Sequence, residues 1–598
     1  MDRNMSLQDQ YKTFSFDHHS ILVIVNDPVD FGNYTSQILI AEGFREFQIK
    51  LINDITLDLL KTFDIVLLTE TKLTDPQAVL FDNYVIGGGC LIAFKPDHQL
   101  ARIFGLALKQ CTIEEGYLSV NNETPVGKGI TPETMQFHGT ADGYLLNGAV
   151  TIATLFSDAS TPTDFPAVTW YAYEKGQAVA FTYNLPKSII YTRQGNPAWA
   201  GQERDGILGI RAAEMYLGWV DPSKNHLNQA DEQMRLLSHI IEDLSESHKP
   251  LPRMWYFPGF YKCLVILTDD GEDSTESDFL PHIADIESKG AHITLYLKNL
   301  DISPATVARW VSQGHEIACH FDDTVEAIQP TRDRMNSVAS LAVQQFWQVY
   351  GLKLKTVRNH WIVWVGWVEQ AEIEANHGIG LDCNLYHYDL ESTSGHYLGS
   401  VGNFNGSGLP MKFVNSDGCI LDIYQSPTQL PDEQWLESYL YGGFKTLVDR
   451  SLDQEIFTFI NINFHTNQWQ VWSRKPGLDM LEYVNKRGVP LWTAEHLLNF
   501  LNARDSASFK NIVWDGRKLS FTLEAPVAGQ NLTFMLPRKY NDLTLTKIEK
   551  DGNHLPVRRM VIKGRTYALA EAGSGGTFSI QANYIKKSNR RLDNNKGF

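Results

Sequence analysis

Cysteine is scarce in this chain: six among 598 residues, at Cys90, Cys111, Cys263, Cys319, Cys383 and Cys419, with no CxxC spacing. That excludes a zinc ribbon and a dense disulfide framework. Several of the six lie inside apolar runs and read as small buried hydrophobes. No run of about 18 apolar residues occurs, which argues against a membrane-spanning helix. The first ten residues, from Met1 to Gln10, lack an apolar signal region. As written the chain therefore reads as soluble and cytoplasmic, or as extracytoplasmic if a signal has been removed. Positive charge is also short. Lys and Arg total 52 against 70 Asp and Glu, a net charge of −18, and such a field attracts neither nucleic acid nor an anionic membrane. Nothing in the pattern fixes an oligomeric state.

What is present in excess is aromatic. The 24 tyrosines and 14 tryptophans suit packing and also suit stacking on the apolar faces of sugar rings. At about 150 residues per domain the length predicts three or four domains.

Near the N-terminus, Ile21-Leu-Val-Ile-Val25 reads as a buried strand, and Tyr34 to Gly43 as a helix ended by glycine. A second βα step follows in Phe63 to Thr69 and Asp75 to Val85, then a glycine turn, Gly87-Gly-Gly89, enters Cys90-Leu-Ile-Ala-Phe94. Alternation of this kind implies a parallel sheet. The phrases Leu73-Thr-Asp-Pro-Gln77 and Tyr84-Val-Ile-Gly-Gly-Gly89 resemble the trehalose-utilisation branch of the class I glutamine-amidotransferase-like fold. That resemblance implies a flavodoxin-like domain over residues 1–250, with a β-rich insertion at about 110–200. Catalytic members carry a cysteine on a strained elbow. Cys90 runs directly into a strand instead, so the domain is expected to be non-catalytic. Gln177 to Pro186 is expected to return the chain to the first sheet, and Met-, Leu- and Ile-rich helices are expected over about 206–244. Ser245 to Pro258 reads as a linker by composition.

From about 255 to 503 the α/β alternation resumes at the length of a (β/α) barrel, here a distorted one. Strands are predicted at Cys263–Thr268, His292–Tyr296, Glu316–Cys319, Thr356–Val357, Leu381–Leu385, Ile420–Tyr424, Thr458–Asn463 and Pro490–Trp492. Residues 504–598 alternate apolar and polar in short pieces and read as a small β-sandwich. The whole is an α/β multidomain chain.

Polar residues gather at the ends of the predicted barrel strands: Thr268-Asp-Asp-Gly271, Gly314-His-Glu-Ile-Ala-Cys-His320, Val357-Arg-Asn-His-Trp361, Gly380-Leu-Asp-Cys383 and Ile462-Asn-Phe-His465. Adjacent carboxylates at Asp269 and Asp270 repel each other unless a cation sits between them. In order and spacing these segments resemble the polysaccharide deacetylases, also called the NodB-homology domain or family 4 carbohydrate esterases, over about 240 residues. The resemblance implies a hydrolase that removes acetyl groups from an N-acetylated amino-sugar polymer or oligomer. It assigns the catalytic base to Asp269, its Arg partner to Arg358, the general acid to His465 and the carboxylate orienting that histidine to Asp382. It also implies a divalent metal, zinc in the family's pattern, with Asp270 and His320 as ligands. Trp361, His360 and Trp364 are expected to contact substrate. The chain departs from the family where a second histidine should follow His320 by four residues: Thr324 stands there, and Asp323 is the substitute ligand expected. Two readings stay open, a working deacetylase and a catalytically inactive carbohydrate-binding or assembly protein on the same fold.

Overall fold

A computed structural model describes residues 20–206, 208–322, 329–386, 402–432, 437–573 and 575–586. It is a mixed α/β structure with several sheets. The first sheet begins with β1 (Ile21–Val25), β2 (Phe47–Leu51), β3 (Ile65–Leu68), β4 (Cys90–Phe94) and β5 (Gly176–Phe181), paired in parallel in the order β2-β1-β3-β4-β5. β1, β3 and β4 are uniformly buried, as continuous apolar runs in parallel sheets are. Beyond β5 the sheet turns antiparallel through Pro162–Tyr173, Val150–Phe156, Tyr117–Val120 and Met135–Gln136. The return of the chain at Gln177 is thus real: Gln177 pairs with Cys90 and Phe181 with Phe94.

Helix α1 (Gln229–Ser245) covers this sheet. Among the described residues of 206–228 the helical expectation is met only by two short 3-10 turns, Ala212–Met215 and Pro222–Lys224. The expected linker is not one either. Arg253 and Met254 pair with Met535 and Phe534, and Met254, Trp255, Tyr256 and Phe257 are all at most 3% exposed. Polar and proline content misled there, because Trp-Tyr-Phe within the segment supplies enough apolar area to bury it.

The second large sheet contains β6 (Cys263–Asp270), β7 (Thr294–Leu297), β8 (Glu316–Phe321), β9 (Thr356–Asn359), β10 (Leu381–Asp382), β11 (Ile420–Gln425), β12 (Thr428–Pro431) and β13 (Thr458–His465). Its order is β11-β10-β9-β8-β7-β6-β13-β12, all parallel, with Met411–Val414 antiparallel on β11 and Leu491–Trp492 beside β6. The sheet curls into a half-barrel, where a distorted (β/α) barrel was expected. Period-two alternation decides what each strand offers. On β6, Leu264 and Ile266 join the apolar cluster shared with α4 (Ala494–Ser506), whereas Val265 and Leu267 join the cluster containing Phe279 and Ile283 of the helix α2 (Glu276–Ser288). Residues of the first kind face the concave side.

The C-terminal residues form two antiparallel sheets, one of six strands and one of four that includes Arg253–Met254. Their apolar faces meet in one cluster, where the rings of Phe521 and Phe534 lie 5.7 Å apart.

Candidate metal centre

The concave face carries a polar ladder that runs up the strands to their carboxyl ends, where open α/β sheets gather ligands. Thr268 and Asp270 come from β6, Glu316 and His320 from β8, Thr356 and Arg358 from β9, and Asn461, Asn463 and His465 from β13. Asp270 is pinned at the bottom. Its Oδ1 accepts from Arg358 Nη1 at 3.1 Å and its Oδ2 from Asn463 Nδ2 at 2.8 Å. Arg358 is fully buried and is held in turn by the Thr268 and Thr428 hydroxyls and the Asn463 amide oxygen. Burial alone would raise the Asp270 carboxyl, but the Arg358 guanidinium and the nearby imidazoles His320 and His465 outweigh it and hold Asp270 below the usual carboxylate range.

Two residues on, Glu272 returns to the same side. The chain bends there with Glu272 at φ +45°, and a Cβ on the preceding Gly271 would lie 2.8 Å from the Phe279 ring, so only glycine fits the bend. The Glu272 carboxylate is the point on which three imidazoles converge. His360 Nε2 lies 3.0 Å from Oε2, His320 Nε2 3.9 Å from Oε1 and His465 Nε2 3.8 Å from Oε1. Each imidazole is fixed from behind through Nδ1. His320 donates to the Arg358 carbonyl at 2.9 Å, His360 faces Asp322 Oδ1 at 2.9 Å, and His465 faces Asp432 Oδ1 at 2.6 Å. Oxygen acceptors on Nδ1 leave the Nε2 atoms pointing inward, which is how metal-binding histidines are oriented.

The donor set fits a divalent cation. One ligand atom each from Glu272, His320 and His360 lies within 4.8 Å of the others. His320 is 2% exposed, and its Nε2 has no hydrogen-bond partner among the described residues. An unpaired buried nitrogen is costly unless something else occupies it. Burial keeps His320 below its usual pKa, hence neutral and able to ligate; for His360 burial is outweighed by the Glu272 hydrogen bond, which raises it. A mixed imidazole and carboxylate set suits zinc and also other first-row ions.

Of the residues singled out in the sequence, Asp270, His320, Arg358, His360 and His465 meet at this centre. Three others do not. Asp269 points to the opposite side of β6, where its carboxylate meets Thr466 and His282 of α2. The two aspartates therefore face opposite sides of β6, and Arg358 holds Asp270, not Asp269. Asp382 sits between Leu381 and Cys383, which join the concave-side cluster. It faces Glu374 of α3 (Glu369–Asn376), and burial pushes its carboxyl up to about 7. The carboxylate behind His465 is Asp432. Trp364 is 1% exposed and packs against Phe413, so it is core. Trp361 is 50% exposed beside His360, on a turn where it and Ile362 have φ +53° and +46°. Asp323 lies outside the described residues.

Sequence reasoning missed Glu272 and Asp432. Strand periodicity did not reach Glu272, because β6 ends at Asp270 and the bend that follows decides the face. Asp432 follows Pro431 at the end of a strand that a proline obscures. Cys90, in the first sheet, opens β4 with no elbow; it is 2% exposed, and burial pushes its thiol up to about 11.

No family model matches the sequence, and no curated protein matches it. Among solved structures the chain is similar to Agd3, described as a novel carbohydrate deacetylase, with 11% identity over 95% of this chain and 99% of that one and a TM-score of 0.38. A Mycobacterium smegmatis chain named "putative polysaccharide deacetylase" gives 13% identity over 43% and 97%, at a TM-score of 0.30. A β-galactosidase from Rahnella sp. R3 gives 16% identity and a TM-score of 0.23, and the chain spans 28% of its length. Likenesses this distant establish no activity, and the functional reading rests on the centre itself.

Proposed function

We propose that the protein is a metal-dependent hydrolase that removes acetyl groups from an N-acetylated amino-sugar polymer or oligomer. The observation that carries the hydrolase is the convergence of three back-tethered imidazoles on the Glu272 carboxylate, above a carboxylate pinned by Arg358. The motif order and the exposed Trp361 indole beside the centre support the sugar, since a flat ring at a cleft mouth stacks on a pyranose.

His320, His360 and Glu272 would hold the ion. An ion held there would supply Lewis acidity, polarising an acyl carbonyl and lowering the pKa of water. Asp270, ionised at neutral pH and fixed by Arg358 and Asn463, takes the proton of the attacking water. His465, 3.8 Å from Asp270 Oδ2, gives the Nε2 proton to the departing nitrogen or oxygen. One water is consumed, the acyl C–N or C–O bond breaks, and acetate and a free amine or hydroxyl leave. Asp432 keeps the proton on His465 Nδ1 and so directs the exchangeable one to Nε2.

The test pairs metal analysis with acetate release from acetylated chito-oligosaccharides. About one divalent ion per chain is expected, lost in His320→Ala. Activity should fall by about 10²–10⁴-fold in Asp270→Asn, the range typical of a missing general base. Bound metal without acetate release from any acetylated glycan would favour the binding or assembly protein instead. Metal-free protein with an intact fold would defeat both the centre and the mechanism.

A further inference from the structure

Asp269 is fully buried, ionisable and unused by this mechanism. It is 0% exposed, and burial raises its carboxyl against the pull of His282, Thr466 and His465. Its surroundings are specific. Oδ1 accepts from Thr466 Oγ1 at 2.7 Å, and Oδ2 lies 3.2 Å from His282 Nδ1. Thr466 is the residue directly after His465, and in register Asp269 stands opposite Phe464 while Asp270 stands opposite His465. The His282 ring is stacked on the Trp469 indole, with centroids 4.0 Å apart and planes at 20°.

Trp469 opens a π-helical turn, Trp469–Ser473. Such turns are rare and occur frequently at functional sites. At its far end the Ser473 hydroxyl donates to Asp432 Oδ2 at 2.6 Å, and Asp432 Oδ1 holds His465 Nδ1. The contacts thus close a circuit, running from Asp269 through Thr466 to His465, through Asp432 and Ser473 to Trp469, and through His282 back to Asp269. His465 is the one member of that circuit whose reactive edge faces the concave side.

We propose that Asp269 is a positioning residue: with His282 it clamps Thr466 from the convex side of the sheet and thereby aims the His465 imidazole at the leaving atom. The proposal rests on His465 acting as the general acid in the reading above. It separates the two adjacent aspartates by face, Asp270 to the chemistry and Asp269 to the alignment of its acid. A misaimed acid has a signature that a lost base or a loosened fold lacks. Substrates whose leaving group needs a proton suffer, and those whose leaving group departs as a stable anion do not.

The experiment compares Asp269→Asn, Thr466→Val and Thr466→Ser with the parent protein on two substrates, an acetylated chito-oligosaccharide and 4-nitrophenyl acetate. For Asp269→Asn and Thr466→Val the expected result is a kcat lower by about 10–100-fold on the sugar amide, the cost of slight misplacement. KM should be unchanged, and turnover of the nitrophenyl ester should stay near that of the parent. Thr466→Ser, which keeps the hydroxyl, should restore the amide activity, and the double variant Asp269→Asn/Thr466→Val should be no worse than either single one. Equal losses on both substrates in Asp269→Asn, with Thr466→Val unaffected, would make Asp269 the base and overturn the proposal. A parent protein silent on both substrates would defeat the proposed function. The clamp would then be judged by crystal structures of the parent and Thr466→Val: it stands if the His465 imidazole leaves Asp432 in the variant and falls if that contact is unchanged.

Discussion

Glu272 shows at the scale of one residue how function is built against local preference. Its φ of +45° is a conformation that costs an L-residue about 1–2 kcal/mol, and a strained residue persists where the surroundings over-determine it. Here the close packing at Gly271 forces the bend, and the bend carries the carboxylate back to the concave face. Glu272→Gly should therefore separate stability from binding. In metal-free protein its denaturation midpoint is expected to equal or exceed that of the parent. Its zinc affinity, by titration against a chelator, should fall by more than the roughly 10–100-fold that removal of an outer-shell partner causes. A lower midpoint with unchanged affinity would remove Glu272 from the centre. The same residue marks the limit of sequence reading. The polar types and their order were legible, but the face was not: a one-residue shift along a strand reverses the side. Asp269 against Asp270 and Asp382 against its neighbours Leu381 and Cys383 turn on that single step.

At the scale of elements, apolar runs located the strands of the half-barrel to within a few residues, because parallel strands buried on both faces are nearly continuous in Val, Ile and Leu. β12 escaped, since Thr428-Gln-Leu-Pro431 has no such run, and with it went Asp432. Glu316 shows what couples the strands below the site. Its carboxyl accepts from Thr294 of β7 at 2.7 Å, from Thr356 of β9 at 2.6 Å and from the Glu495 amide at the start of α4 at 2.7 Å. Burial pushes it from 4.5 up to about 7. Between those values the folded chain keeps a proton that the unfolded chain has lost. The contribution of this group is thus complete below about pH 4.5 and is lost as pH rises through about 7. Replacing Glu316 by Gln should flatten that part of the stability profile by on the order of 3 kcal/mol, read as the difference between parent and variant in urea denaturation from pH 4.5 to 8. Parallel profiles for the two proteins would show that Glu316 is ionised throughout.

At the scale of the whole molecule, the segment expected to be a linker joins three sheets. Arg253 donates to the Glu42 carbonyl at 2.7 Å and carboxylate at 2.6 Å, beside the first sheet, and to Glu242 of α1 at 2.7 Å. Its backbone pairs with Met535 in the C-terminal four-stranded sheet. Glu242 also receives Tyr567 and Arg565 from that sheet, and α4, which abuts the half-barrel, sends Arg504 to the carbonyls of Ile40 and Ala41. Glu42 and Arg253 are 1% and 3% exposed. A buried pair adds little when intact, but removing one partner strands the other charge at a cost of roughly 3–5 kcal/mol. Arg253→Ala is therefore expected to destabilise the protein by that amount. Because the stranded carboxylates lie on the first sheet's side while Arg253 itself pairs in the C-terminal four-stranded sheet, the loss should appear as one earlier transition shared by both. Calorimetry can check this. Two separated transitions, with only the later one unchanged, would show that the sheets unfold independently and that Arg253 serves one of them alone.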